Sequence, residues 1–192
     1  MAKDISEIIM ERRSIKQVDE APIERAVIDG ILEKSAFAPF HSKIEPWHVA
    51  VLSTEAEKRR FVEAIVNSME RMQGEPLTHE RREQIRAGNE RKIVAPPYTL
   101  IVTTDIIGSG KKDFEAIAAT SAFIQNVQLL AWEAGLGVLW RTNNFIFDSE
   151  VVTELGLDGQ QIVGCLQMTR FNEVPDAKPR RAMDTWVKNL GE

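Results

Sequence analysis

An α+β fold is the class this sequence predicts, on three observations. Helical and strand-like stretches are mixed along its 192 residues without the regular strand–helix–strand rhythm of a doubly wound sheet. Three runs of strand length, 47–52 (WHVAVL), 98–104 (YTLIVTT) and 162–168 (IVGCLQM), are apolar or β-branched. Between them stands a long helical stretch, 113–134, with no charge between Glu115 and Glu133. A chain of this length closes one domain around a full core.

The elements follow in order. Ile5 to Arg13 reads as a helix, broken by Asp19-Glu20-Ala21-Pro22, and Pro22 suits the first turn of a second helix. There Ile23, Val27, Ile31 and Lys34 recur every three or four residues, with Leu32 widening the apolar side. After the strand 47–52, Thr54 and Glu57 have capping-box spacing, in which side chain and backbone satisfy each other's orphan donors. Phe61, Val62, Ile65, Val66, Met69 and Met72 then form one apolar stripe. Gln73 to Lys92 is polar and charged, an exposed excursion holding a further helix, and Pro96-Pro97 ends it. The uncharged helix is either central or set in a subunit interface, and Gly135 supplies its C-terminal cap. A strand over 138–141, a loop with Asn143-Asn144, a short helix from Ser149 and the strand 162–168 complete the series. The tail, 175–192, is basic first and then carries Met183, Trp186, Val187 and Leu190, which should dock on something.

Composition narrows the function. A 43% hydrophobic share with 28% charged residues excludes broad disorder and a disulfide scaffold. Cys165 is the single cysteine, so no intrachain disulfide and no cysteine-rich zinc site forms, which suits a reducing, cytoplasmic compartment. Met1 to Arg13 lacks the layout of a secretory signal, and no apolar run reaches the 18 or so residues of a membrane span. A net charge of −5 disfavours nucleic acid, leaving small molecules and other protein chains as partners.

The motif search starts with negatives. His41, His48 and His79 have no i, i+4 pairing, and there is no G-x-S-x-G elbow, Walker loop or dinucleotide G-x-G-x-x-G. Gly135-Leu136-Gly137 follows a helix and precedes a strand, the reverse of the dinucleotide order. Cys165 lies within an apolar strand and reads as a buried thiol. Three clusters remain. Arg12-Arg13-Ser14-Ile15-Lys16 follows a helix; its arginines suit a phosphate, or else they are dipole-matched cations at a helix C-terminus. The loop 38–48 (APFHSKIEPWH) is rigid and aromatic with polar tips, fit for the edge of a planar ligand or for a packed connection. The strand 137–143 ends in Trp140-Arg141-Thr142, either a ligand contact or a polar strand end.

Taken together, Arg12-Arg13-Ser14, the Ala38-Pro39 to Pro46-Trp47-His48 loop, the helix-Gly135-Leu136-Gly137-strand junction and Lys178-Pro179-Arg180-Arg181 resemble the nitroreductase family, over nearly the whole chain. Trp140-Arg141-Thr142 is most similar to its small single-domain subgroup. The resemblance implies one FMN-binding domain over 1–192, with a mostly antiparallel central sheet flanked by helices, and an intertwined homodimer holding FMN at its interface. Arg12, Arg13 and Ser14 would hold the phosphate and ribityl side, joined by Arg180 or Arg181. Lys16 would lie at the flavin edge where negative charge gathers on reduction. His41 and Ser42 fall in the loop that meets the flavin. The backbone at Arg141 and Thr142 would face flavin N5, with Trp140 packed nearby. Two departures, Phe40-His41-Ser42-Lys43 and Asn143-Asn144, stand where relatives carry small polar residues and a glycine-rich turn.

The activity so implied is ping-pong transfer of hydride from NADH or NADPH to FMN and on to an electron-poor acceptor such as a nitroaromatic or quinone. No side chain is needed as a nucleophile. The alternatives are a flavin storage or delivery protein without nicotinamide turnover, a specialised flavin chemistry using 73–92 as a lid, and a cofactor-free interaction domain.

Overall fold

The computed structural model describes residues 4–41 and 43–191. Helix α1 (Ile5–Glu11) opens with a capping box between Asp4 and Glu7. Helix α2 spans Arg25–Ser35, so Pro22 lies outside it and Glu24 takes the N-cap. Its buried side is Ile28, Ile31 and Ser35, while Val27 is exposed. Ile23 and Ile31 are buried as the periodicity expects, but Ile28 takes the place of Val27, because with Pro22 outside the helix Ile23 packs from the preceding loop and a count from it misses the helix's own apolar side. Strand β1 (Trp47–Leu52) leads through the Thr54–Glu57 capping box into α3 (Glu55–Gln73). That helix buries Phe61, Val62, Ile65 and Val66 but leaves Met69 and Met72 exposed at its far end.

The polar excursion folds as α4 (His79–Asn89) and a π-helical turn, Glu90–Val94. It is clamped rather than free. Arg86 grips both Glu63 oxygens (2.6 and 2.7 Å), Arg82 reaches Glu70 and Asn67, and Ile85 is buried. The Lys58 ammonium, itself buried, donates to the carbonyls of Val94, Pro96 and Pro97 and fixes the exit into β2.

Strand β2 (Tyr98–Asp105), helix α5 (Gly110–Glu133), strand β3 (Leu136–Arg141), a 3-10 turn (Asn144–Phe147), helix α6 (Ser149–Leu155) and strand β4 (Gln160–Arg170) follow. Strands β3 and β4 both run longer than periodicity suggests, β3 starting directly after Gly135 (φ 73°). The sheet order is β1-β2-β4-β3, antiparallel throughout, and Ser14 adds a parallel bridge to Val138 on the outer edge of β3. One face packs on α2 and α5 through Ile28, Leu100, Val102, Phe123, Ile124, Val127 and Leu166. The other packs on α3 and α6 through Phe61, Ile65, Ile101, Val151 and Ile162.

Helix α5 is central along one side, burying Thr120, Phe123, Ile124 and Val127, yet it keeps Ala118 and Gln125 exposed. The tail from 172 to 191 is exposed along its length, with Met183, Trp186 and Leu190 finding no cover within the chain. Among the described residues, no helix is long and apolar enough to cross a membrane.

Candidate functional site

The end of α1 delivers two arginines side by side, because Arg12 is the C-cap and leaves helical geometry (φ −52°, ψ 131°). Their roles then separate. Arg13 turns back and donates through Nη1 to the carbonyls of Met10 (2.6 Å) and Arg12 (3.0 Å), closing the helix as a dipole-matched cation does. Arg12 makes no such cap. Its Nη1 and the Nε of Arg13 are buried without a hydrogen-bond partner. Burial, then the charges of Arg13 and Arg180, lower the pKa of Arg12. The tail thus returns Arg180 to the end of α1, across 168 residues of sequence, while no such influence of Arg181 is seen. Among the described residues, no carboxylate lies within ion-pair distance of Arg12, Arg13 or Arg180. Three guanidinium groups gathered without a counter-charge repel one another. Such a cluster fits a ligand bearing a phosphate, which brings two negative charges and several acceptors.

Ser14 is held beside this cluster by its bridge to Val138. The parallel direction carries the chain from Ser14 along β3 toward the level of Trp140, with the Lys16 side chain exposed. The close approach explains Gly137: a Cβ there would stand 2.3 Å from Ile15 Cγ1. Gly164 has a matching role on β4, where a Cβ would meet the Trp140 indole at 2.0 Å. The half-buried indole instead packs over that glycine and donates from Nε1 to the Val163 carbonyl (3.3 Å). Arg141, half-buried at the end of β3, donates from Nε to Gln167 Oε1 (2.9 Å). Thr142 follows, exposed. Gln167 is a site residue that motif reading missed, although a glutamine inside an apolar strand was a signal for it.

The aromatic loop lies elsewhere. His41 is exposed and lines a cavity of about 350 Å³ at the start of β1, the end of β2 and the first turns of α5. Ser42 lies outside the described residues. From Ser14 across β3, β4 and β2 to β1 is four inter-strand steps, roughly 19 Å at about 4.8 Å each. One chain therefore brings Arg12, Arg13, Ser14, Trp140, Arg141 and Arg180 to one edge of the sheet and leaves His41 at the other. Near the cavity, His48 Nε2 donates to Asp105 Oδ1 (2.7 Å), a pair 57 residues apart that sequence motifs did not show. Cys165 lies within β4, wholly buried; desolvation pushes its thiol up to about 12, against a smaller opposing effect of Arg141, which keeps it protonated at neutral pH.

Comparison with known proteins identifies the family. Residues 9–169 match the profile of the nitroreductase family. A relative from Bacillus subtilis (strain 168), provisionally named the NAD(P)H nitroreductase YfhC, is 31% identical over 177 residues, covering 92% of this chain and 89% of its own. A crystal structure of a nitroreductase-like family protein from Bacillus cereus superposes with a TM-score of 0.87 at 28% identity, covering 100% of this chain and 98% of that one. The FMN- and NADPH-dependent nitroreductase NfnB from Sphigopyxis sp. strain HMH shares the fold, with a TM-score of 0.77 at 21% identity over 99% and 100% of the two chains.

Proposed function

The chain belongs to the nitroreductase family, and we propose that it is a cytoplasmic, homodimeric oxidoreductase that binds FMN and is driven by NADH or NADPH. The observation that carries the proposal is the cluster of Arg12, Arg13 and Arg180, which among the described residues has no carboxylate within ion-pair distance and suits the phosphate of FMN. The chemistry that FMN would supply there is acceptance of hydride from the nicotinamide and delivery of the electrons to an electron-poor acceptor such as a nitroaromatic or quinone.

The residues have distinct parts in this reading. Arg12 and Arg180 hold the phosphate, Arg13 positions α1 while adding charge, and Ser14 contributes a hydroxyl. Lys16 supplies positive charge where the ring becomes electron-rich. Arg141, steadied by Gln167, and Thr142 present the end of β3 to the ring, and Trp140 walls it. His41 reaches the same ring from a second copy, since one chain leaves it at the far edge of the sheet, beyond β1, which lies roughly 19 Å from Ser14; Ser42 belongs with it in this reading. The second copy also gives the exposed tail and the exposed side of α5 a place to dock. The fixed clamp on α4 supports this general oxidoreductase reading over a lidded, specialised chemistry.

Steady-state oxidation of NAD(P)H by the purified protein, with a nitroaromatic or quinone, tests the proposal. Turnover is expected; a protein that holds flavin but consumes no nicotinamide is a storage protein. Sedimentation should give a dimer, and a stable flavin-loaded monomer at micromolar concentration would refute the two-copy site.

A further inference from the structure

Resting on the FMN reading, we propose that Gln167 is a cofactor-binding residue and not only a brace for Arg141. Its buried amide N–H, with the Arg141 guanidinium beside it, takes a carbonyl oxygen of the flavin ring.

Strand alternation sorts the side chains at the end of β3. Trp140 packs on the α2 and α5 side, whereas Arg141 stands opposite Cys165, whose side chain joins the α3 and α6 core. Gln167 lies on that second face, two residues beyond Cys165 on β4, and only 2% of it is exposed. Its carboxamide is half satisfied. Oε1 accepts from Arg141 Nε at 2.9 Å, while Nε2 is buried without a hydrogen-bond partner. Exchanging the two ends of the amide brings no relief, because Arg141 Nε can only donate and needs an oxygen opposite it. The polar neighbours on this face are already engaged. Thr99, paired with Gln167 across β2 and β4, gives its hydroxyl to the Ile93 carbonyl (2.9 Å), and Thr169 gives its own to the Asp19 carbonyl (2.9 Å). Among the described residues, no carboxylate lies within ion-pair distance of Arg141.

The pair therefore offers donors and lacks an acceptor. A buried donor left unpaired is costly, and a ligand that brings an acceptor recovers that cost on binding. Position selects the acceptor. Arg141 lies three residues along β3 from Val138, the residue bridged to Ser14, or roughly 10 Å. The phosphate belongs at the Ser14 end with Arg12 and Arg180, and a ribityl chain covers the interval to the ring. The acceptors at that far end are the ring's carbonyl oxygens, which gain electron density on reduction.

Fluorescence titration of the flavin-free full chain with FMN and with riboflavin tests this in two variants. Gln167→Met keeps most of the volume and removes both polar ends. Gln167→Glu keeps an oxygen for Arg141 and removes the N–H donor. Both should bind FMN and riboflavin roughly 3- to 30-fold more weakly, by the same factor for the two ligands, since the lost contact is to the ring and not to the phosphate. At saturation the visible spectrum of the bound flavin should shift, and its two-electron potential should fall, because a donor to the electron-rich edge is gone. Wild-type affinity in Gln167→Glu with a loss only in Gln167→Met shows a brace for Arg141 and overturns the proposal. So does wild-type affinity in Gln167→Met, which leaves Nε2 to a buried water. A loss confined to FMN places the pair at the phosphate and overturns it too. A wild-type protein that takes up neither flavin refutes the FMN reading itself, whereas those three results strike only the ring contact.

Discussion

Removing the Arg12 guanidinium is the sharpest perturbation of the proposed cofactor site, because Arg12 and Arg13 have been given different work. Arg13 uses Nη1 on the Met10 and Arg12 carbonyls, whereas Arg12 Nη1 is buried without a hydrogen-bond partner and Arg12 feels the charge of Arg180. A charge-assisted contact to phosphate is worth about 1.5–3 kcal/mol, or roughly a 10- to 150-fold loss of affinity. Part of that is offset, because Arg12→Ala also relieves the repulsion among three cations. The expected loss of FMN affinity is therefore about 10- to 50-fold, at the lower end of the range. Arg13→Ala should cost FMN affinity less and thermal stability more, since it uncaps α1. Fluorescence titration with FMN and with riboflavin, which lacks the phosphate, makes the assay specific. Arg12→Ala should leave riboflavin affinity within about two-fold, because only the phosphate partner has been removed. Equal losses for both ligands, or none for FMN, would refute the assignment.

Three further outcomes follow from the same geometry. Lys16→Met should lower the two-electron potential of the bound flavin by roughly 20–45 mV, from about 1–2 kcal/mol of charge interaction; a spectroelectrochemical titration with no shift would show Lys16 to be a solvated surface lysine. Gly137→Ala should destabilise the fold by about 1–3 kcal/mol through collision with Ile15, and Ile15→Ala in the same chain should recover part of the loss in a denaturant titration. Glu63, hydrogen-bonded by Arg86, has a lowered pKa, so its contribution is present above the ordinary carboxylate range and is lost as acid protonates it. Amide exchange should accordingly speed up in α4 in acid and in Arg86→Met, with β2 and β4 unaffected.

What could be read from sequence was local. The Thr54–Glu57 capping box lies within one helical turn and the Trp47–Leu52 strand within one apolar run, and both form where the pattern puts them. Helix α2 shows where locality fails: Ile31 is buried as its spacing suggests, but Ile23 is buried from outside the helix, so a count from it points to exposed Val27 where Ile28 is buried. The division of labour between Arg12 and Arg13 depends on which guanidinium curls back, a choice two adjacent arginines do not reveal. The arrival of Arg180 at Arg12 joins the chain's two ends and was legible only through likeness to a family. Gly137 stood out as a glycine, but the reason for it is Ile15, brought alongside by the Ser14 bridge.

The most direct test of the account is the visible spectrum of the purified protein, before and after anaerobic addition of NADH or NADPH. The arginine cluster and the family predict a yellow protein whose flavin absorbance bleaches with the nicotinamide and returns when a nitroaromatic or quinone is added. A protein that stays colourless after reconstitution with FMN, or whose bound flavin is untouched by both nicotinamides, contradicts it.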